Sequence, residues 1–460
     1  MSTLTEPLAA PSKVAGATDA QQPECESPET NRSRIPWPSI LNYVGSLLDQ
    51  SFVSGTRFLT TILVARLCGA SELGTYALGF SVMMGFHCLH ISLFCRPYTI
   101  YANKMSGQEQ RELAGSVLMQ FVSFSLLSSI VLALGSAALY ASDVQTEMTG
   151  VLITLAIGTP FILLRDHARQ FCFAHMNVHR ALLVDILTAS VQLSAIGMLA
   201  WHSQLSAVTA LAATSVGCGI AGLVWLWLDR HRFAIRASRI MSDIRAQWSI
   251  GKWDCASEIV FTSQIHGMTW LLAVLLDRGS VGVYSACMTA IMVLNPFLLG
   301  VNSLLVPKTA KAFADEGISG MRTIVSRTTW LLGGLTTAFS VVAAIWGPAA
   351  LEMLYYGQGF EIPALVVAAL VFGVVAEVLG IGPENALWAM ERHDFNFRVE
   401  LVGGAATLLC SFLFIPSFGL PGAALSFLVG RAMTSGAHWY AYRVAIQKQS
   451  TMNATASESA

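Results

Sequence analysis

Charge is what this chain lacks. Of its 460 residues only 12% are Asp, Glu, Lys or Arg, about half the density of a soluble domain. So few charges cannot cover a water-facing surface, and an ordinary soluble globular protein is excluded. Neither sign dominates: 27 basic residues stand against 28 acidic ones. A binder of phosphate backbones needs a basic surplus, so no nucleic acid is expected as a partner. The nine cysteines form no CxxC pair, and most fall in apolar runs, where a thiol acts as a small hydrophobe. Neither a disulfide framework nor a zinc site is suggested, and no cofactor or metal is expected. Long hydrophilic loops are missing too, which leaves a catalytic site outside the apolar runs nowhere to sit. The chain therefore reads as no enzyme.

What is present is hydrophobicity: 54% of the residues are apolar and the mean hydropathy is +0.58. Apolar runs of about 20 residues, the length that crosses a bilayer, fall at 41–67, 73–95, 113–140, 148–170, 181–201 and 205–228. A second set falls at 250–276, 281–306, 324–346, 362–390, 396–416 and 420–442. The fold class is an all-α polytopic membrane protein of about twelve spans. The segment 1–38 is rich in Pro, Ser, Thr and Glu and has no apolar core, so it reads as a disordered tail, not a signal peptide. Residues 447–460 read the same way.

Lys and Arg set the orientation. Arg96, Lys104, Arg111, Arg180, the run from Arg230 to Lys252, Lys308, Lys311, Arg322, Arg392 and Arg443 all fall on one side if the chain starts inside. Both termini are therefore expected in the cytoplasm. The longest basic stretch, 229–249, is read as a linker and an amphipathic helix on an anionic leaflet. It separates a bundle at 39–228 from one at 250–446. These halves resemble each other. Gly74-Thr75-Tyr76 opens the second span and Gly282-Val283-Tyr284 the eighth, at an offset of 208. Gln50 and Glu258, and Ser54 and Thr262, fall at the same offset. Two parallel six-helix repeats around a central cavity, with substrate between the halves, are the expected architecture.

The stretch VARLCGASELGTYALGFSVM resembles the opening of the polysaccharide-repeat-unit flippases, the oligosaccharide branch of the multidrug/oligosaccharidyl-lipid/polysaccharide (MOP) exporter superfamily. Arg66, Gly69, Gly74 and Tyr76 fill that family's loop pattern, with Cys68 where a leucine is usual. The segments around LNPFLLGVNSLLVPKTAKAF, LEMLYYGQGFEIPALVVAAL and PSFGLPGAALSFLVGRAM are similar to its later helices, so the likeness covers about 41–445. The lipid II flippases, a branch with more spans, fit less well. The resemblance implies a flippase for an undecaprenyl-diphosphate-linked oligosaccharide in the bacterial inner membrane. Glycosyltransferases and a polysaccharide polymerase would then be its partners beside membrane lipid. An H+- or Na+-coupled multidrug exporter of the same superfamily is the alternative.

Ionisable groups within a bilayer are costly and usually face a cavity. On the first span Gln50, Ser54, Arg57 and Thr61 share one helical face, and Glu258, Thr262, His266 and Thr269 share one on the seventh. A diphosphate asks for guanidinium, whose paired N–H donors match phosphate oxygens; Arg57 and Arg431 are the candidates. Arg165 and Arg169 read as a vestibule or a positive anchor at one end of the fourth helix. Ion coupling, by H+ or Na+, falls to Glu258 first, then Asp185 and Glu377. His87 and His90 lie three apart, but without a third ligand they read as interfacial histidines. Pro160, Pro296, Pro307, Pro363 and Pro383 are read as kinks.

Overall fold

The computed structural model describes residues 37–142, 146–292, 295–355 and 360–458. All regular structure among them is helical. The chain runs through α1 (Trp37–Cys68) and α2 (Ala70–His90), which continues through a π turn (Ile91–Cys95) into α3 (Arg96–Ala102). Then come α4 (Gly107–Ala141), α5 (Thr146–Ala174), α6 (Val178–Trp201) and α7 (Ala207–Asp229). The second part comprises α8 (Ala237–Leu275), α9 (Arg278–Ile291), α10 (Asn295–Leu354), which is two helices meeting at a kink where Gly317 leaves helical geometry (φ 66°), α11 (Ala364–Ala389), α12 (His393–Phe418) and α13 (Leu420–Glu458). Residues 42–460 make one compact unit; of the preceding unit, 1–41, only the start of α1 is described, so the expected tail lies almost wholly outside the described residues.

Polarity in this molecule is inside out. On α4, Leu134 is 65% exposed while Ser136, two residues on, is 2% exposed. Ser128 turns inward and donates to the Phe124 carbonyl, and Ser136 donates across to the Thr149 carbonyl of α5. Leu127, Val131 and Leu134 face outward on α4, as do Trp330, Leu335 and Trp346 on α10 and Leu409 and Leu413 on α12. Water would penalise such a surface and hydrocarbon would not. Nine helical segments among the described residues are long and apolar enough to cross a membrane. The expected spans 41–67, 281–306 and 420–442 are not among them. Residues 41–67 lie in α1, diluted by Asp49, Gln50 and Arg57, and 420–442 lie in α13, diluted by Arg431. The span at 281–306 crosses 293–294, which are outside the described residues.

The helices pair in the same order on both sides of the linker. α4 packs on α5, α5 on α7 and α6 on α7; correspondingly, α10 packs on α11, α11 on α13 and α12 on α13. Across the linker α2 packs along α9, and the contact is reciprocal. A Cβ on Gly74 would lie 1.9 Å from the Arg278 carbonyl oxygen, and one on Gly282 would lie 1.9 Å from that of Ala70. Both glycines and both carbonyls are related by the offset of 208. Residue i meeting j while j meets i is what a twofold between equivalent helices requires. The glycines are there because backbone meets backbone.

Three details differ from the sequence reading. The linker is no separate helix: α8 starts at Ala237 and runs unbroken into the seventh span, since no proline interrupts it. Two of its basic residues are clamped to α4, Arg236 and Arg239 lying 3.3 and 3.6 Å from Glu112. The segment after 447 continues α13 to Glu458 in place of a disordered tail; it holds no glycine or proline to stop a helix. Pro363 caps the start of α11 and kinks nothing, whereas Pro160 and Pro383 do lie within helices.

Candidate functional site

Four polar assemblies interrupt the apolar interior. The first surrounds α5, where Arg165 and Arg169 are i,i+4 neighbours and so share a face. Arg165 pairs with Asp166 at 2.9 Å and with Asp185 of α6. Arg169 lies 2.7 Å from Asp185 and 2.6 Å from Asp49 of α1. His87 of α2 closes the assembly, 2.7 Å from Asp166. The three carboxylates are almost fully buried. The arginines are therefore neither a vestibule nor an interfacial anchor, because each points at carboxylates inside the bundle. Three aspartates thus face two guanidiniums and one imidazole.

The second assembly holds the other half. Arg431 of α13 lies 3.6 Å from Glu377 of α11 and over the Phe427 ring at 5.4 Å. Glu384 lies seven residues beyond Glu377, on the same helical face. Gln264 of α8 donates to the Glu400 carbonyl of α12 at 2.8 Å. Arg431 is thus partly neutralised, and acid outnumbers base here too. Glu400 was not legible as a candidate, because it stands at the start of an apolar run like any flanking residue.

The third assembly joins the two parts of the chain. Arg96, at the start of α3, reaches Asp254 at 2.6 Å and Glu258 at 2.8 Å on α8. Glu258 is therefore the partner of an arginine, not a lone intramembrane carboxylate. By sequence Arg96 falls among the loop charges; the unbroken run from α2 through the π turn into α3 carries it onto α8.

Between α1, α2 and α8 stands Arg57. Its guanidinium lies over the Phe80 ring, 4.0 Å from the centroid, and Phe80 in turn lies 6.2 Å from the His266 ring. The residue is exposed, and no carboxylate lies within ion-pair distance among the described residues. Asp49 is occupied by Arg169 instead. Gln50 and Ser54 are half-buried on the same face of α1. Thr262 lines a cleft of about 270 Å³ with Val82, Gly85 and Ile259, between α2 and α8. Of the expected cavity residues, Arg57 and His266 are brought together; Arg165, Arg169 and Arg431 are drawn into ion pairs.

A last cluster contradicts the reading of His90 as interfacial. His90 is fully buried, and Cys95 and His167 lie beside it, their ligand atoms within 4.8 Å of one another. A third donor does exist, therefore. It was hidden because residues five apart on an α-helix stand about 140° apart, while the π turn over Ile91–Cys95 brings them to one face.

No protein-family model matches the chain. A capsular polysaccharide biosynthesis protein of Staphylococcus aureus, CapF, is 22% identical over 169 residues, which is 37% of this chain and 42% of that protein. The chain thus matches less than half the length of that relative. Solved structures agree over nearly the whole chain. An inward-facing multidrug resistance MATE family transporter of the MOP superfamily superposes with a TM-score of 0.71 at 15% identity, covering 88% of this chain and 96% of the other. The MATE transporter VcmN of Vibrio cholerae gives 0.64 at 15%, covering 89% and 97%. A MOP superfamily transporter from Pyrococcus furiosus, for which a reversed polarity of the binding pocket suggests a different function, gives 0.65 at 14%, covering 89% and 95%. The fold is that of the MOP superfamily transporters, as the sequence resemblance implies, and the protein is a multi-pass membrane protein.

Proposed function

We propose that this protein is a flippase of the bacterial inner membrane, with both termini cytoplasmic, that moves undecaprenyl-diphosphate-linked oligosaccharide units for O-antigen, capsule or exopolysaccharide synthesis. The observation that carries the reading is Arg57: exposed, held over Phe80, beside His266, and without a carboxylate partner among the described residues. An uncompensated guanidinium in a spanning helix is expensive unless water or an anion meets it. A diphosphate is such an anion, and guanidinium binds its oxygens through paired N–H donors. The partial likeness to a capsular polysaccharide biosynthesis protein points the same way. Glycosyltransferases would supply the substrate, and a polysaccharide polymerase would consume the flipped product.

Transport proceeds by alternating access about the α2–α9 contact, driven by H+ or Na+. All three ionic assemblies carry more acid than base, and Glu258, Asp185 and Glu377 are the carboxylates through which a cation would act. A cation-coupled multidrug exporter is the second reading, favoured by the MATE transporters among the fold's likenesses. Deleting the gene from its host separates the two. Loss of surface polysaccharide with lipid-linked repeat units trapped on the inner leaflet is the expected result. Unchanged polysaccharide with raised sensitivity to cationic dyes would overturn the flippase reading in favour of the exporter.

A further inference from the structure

The buried group of His90, Cys95 and His167 serves none of the ionic assemblies and takes no part in the transport path described above. The three residues come from α2, the end of the π turn and α5, and are 0%, 2% and 3% exposed. Among the described residues they are the one set of three or more His, Cys, Asp or Glu side chains close enough to share an ion. His167 Nδ1 is buried with no hydrogen-bond partner. An unpaired imidazole nitrogen in a dry interior is a cost that the fold would not keep without return. The π turn is likewise a costly departure from α geometry, and such bulges concentrate at functional sites. Here it carries Cys95 onto the face of His90, setting Sγ 3.7 Å from Nε2.

We propose that His90, Cys95 and His167 bind one soft monovalent closed-shell cation of the Cu(I) class. Three features select that ion. The donors are one thiolate and two imidazoles, which suit soft and borderline metals and exclude hard ones. Metal–nitrogen and metal–sulfur bonds of about 2.0 and 2.3 Å, opened to about 120°, separate N from S by about 3.7 Å, the spacing seen between His90 and Cys95. Closed zinc sites take four protein ligands and open ones keep a water, whereas here the surroundings are aromatic. Phe121 lies 5.1 Å from the His167 ring and 5.4 Å from that of His90, and Phe94 and Trp225 lie at 6.0 and 6.1 Å. In that shell a monovalent ion with one thiolate leaves a neutral centre, and a divalent ion would leave a buried positive charge. The nearest carboxylate, Asp166, is already committed to Arg165 and His87. Binding displaces the Cys95 thiol proton to solvent as the metal–sulfur bond forms, and it staples α2 to α5.

The test uses the full-length protein in lipid nanodiscs, reduced and stripped of metal, titrated with Cu(I) against a chromogenic Cu(I) chelator. Wild type is expected to withhold one equivalent. Cys95→Ser and His167→Phe, the latter keeping the ring packing, are expected to weaken binding at least about 100-fold. Cys287→Ser, a buried thiol in α9, is expected to change nothing. X-ray absorption of the wild-type complex is expected to show one sulfur and two nitrogen neighbours. The proposal fails if wild type withholds no Cu(I), if Cys95→Ser withholds it as well, or if the ion sits among sulfurs alone. Tighter retention of Zn(II) than of Cu(I) would overturn the monovalent assignment. Because the absorption measurement needs only the wild-type protein, a variant that fails to fold leaves the proposal open to refutation.

Discussion

Replacing Arg57 by Met keeps the length of the side chain and removes its charge. In the folded protein the guanidinium gains about 0.5–1 kcal/mol from the Phe80 ring at 4.0 Å, and among the described residues it has no carboxylate to leave unpaired. With α1 spanning the membrane as proposed, removing its lone charge recovers a few kcal/mol, so Arg57→Met is expected to fold and insert as well as wild type. Transport is a different matter. Hydrogen bonds to charged groups contribute about 1.5–3 kcal/mol each. Losing the paired bonds to a phosphate is therefore worth about 3 kcal/mol, or about 100-fold in rate at about 1.4 kcal/mol per tenfold. Arg57→Lys keeps the charge but loses the fork, and is expected to retain about a tenth of the flux. The assay is initial-rate flipping of a lipid-linked oligosaccharide in proteoliposomes, beside surface polysaccharide in the host. Wild-type flux through Arg57→Met, at equal protein in the membrane, would refute the argument.

The other assemblies make separate predictions. Asp185→Asn leaves Arg165 and Arg169 short of a buried partner, so it is expected to destabilise by about 3–5 kcal/mol, read as a lowered melting temperature in detergent; an unchanged melt would mean that the network is hydrated. Gly74→Ala or Gly282→Ala would thrust a methyl into a facing carbonyl and is expected to cost at least about 1–3 kcal/mol. Both should impair transport alike, and a tolerated pair would show that α2 and α9 do not meet closely. Arg96→Glu sets like charges against Asp254 and Glu258 where two partly exposed pairs stood. Each such pair is worth about 0.2–1 kcal/mol, so losing both should shift the α2–α8 distance distribution from spin labels by up to about 30-fold in population. No shift would place the closing force elsewhere.

Hydropathy is a sum over local residues, which is why the apolar runs fall on helices along nearly the entire chain without any knowledge of contacts. The reciprocal glycines show the same legibility at longer range: Gly74 and Gly282 share an offset in the sequence, and the structure makes them two ends of one contact. Charge behaved otherwise. In sequence Arg57 and Arg431 each stand as a lone cation among apolar neighbours, and Arg165 and Arg169 as a pair beside Asp166. Their difference lies in partners up to 120 residues away, such as Asp49 for Arg169. The linker misled for a related reason: its arginines match a leaflet-binding face, but Glu112 of α4 satisfies two of them.

The residues alone thus determined that the chain is helical, that it lies in a membrane and that it is built twice over, because desolvation acts on each side chain independently of its neighbours. Only the tertiary structure decided which charges are spent on one another, since the Coulomb energy of a pair depends on a separation that no linear spacing contains. It also decided that five residues of π helix turn Cys95 toward His90, an angular shift set by backbone hydrogen bonding and not by composition.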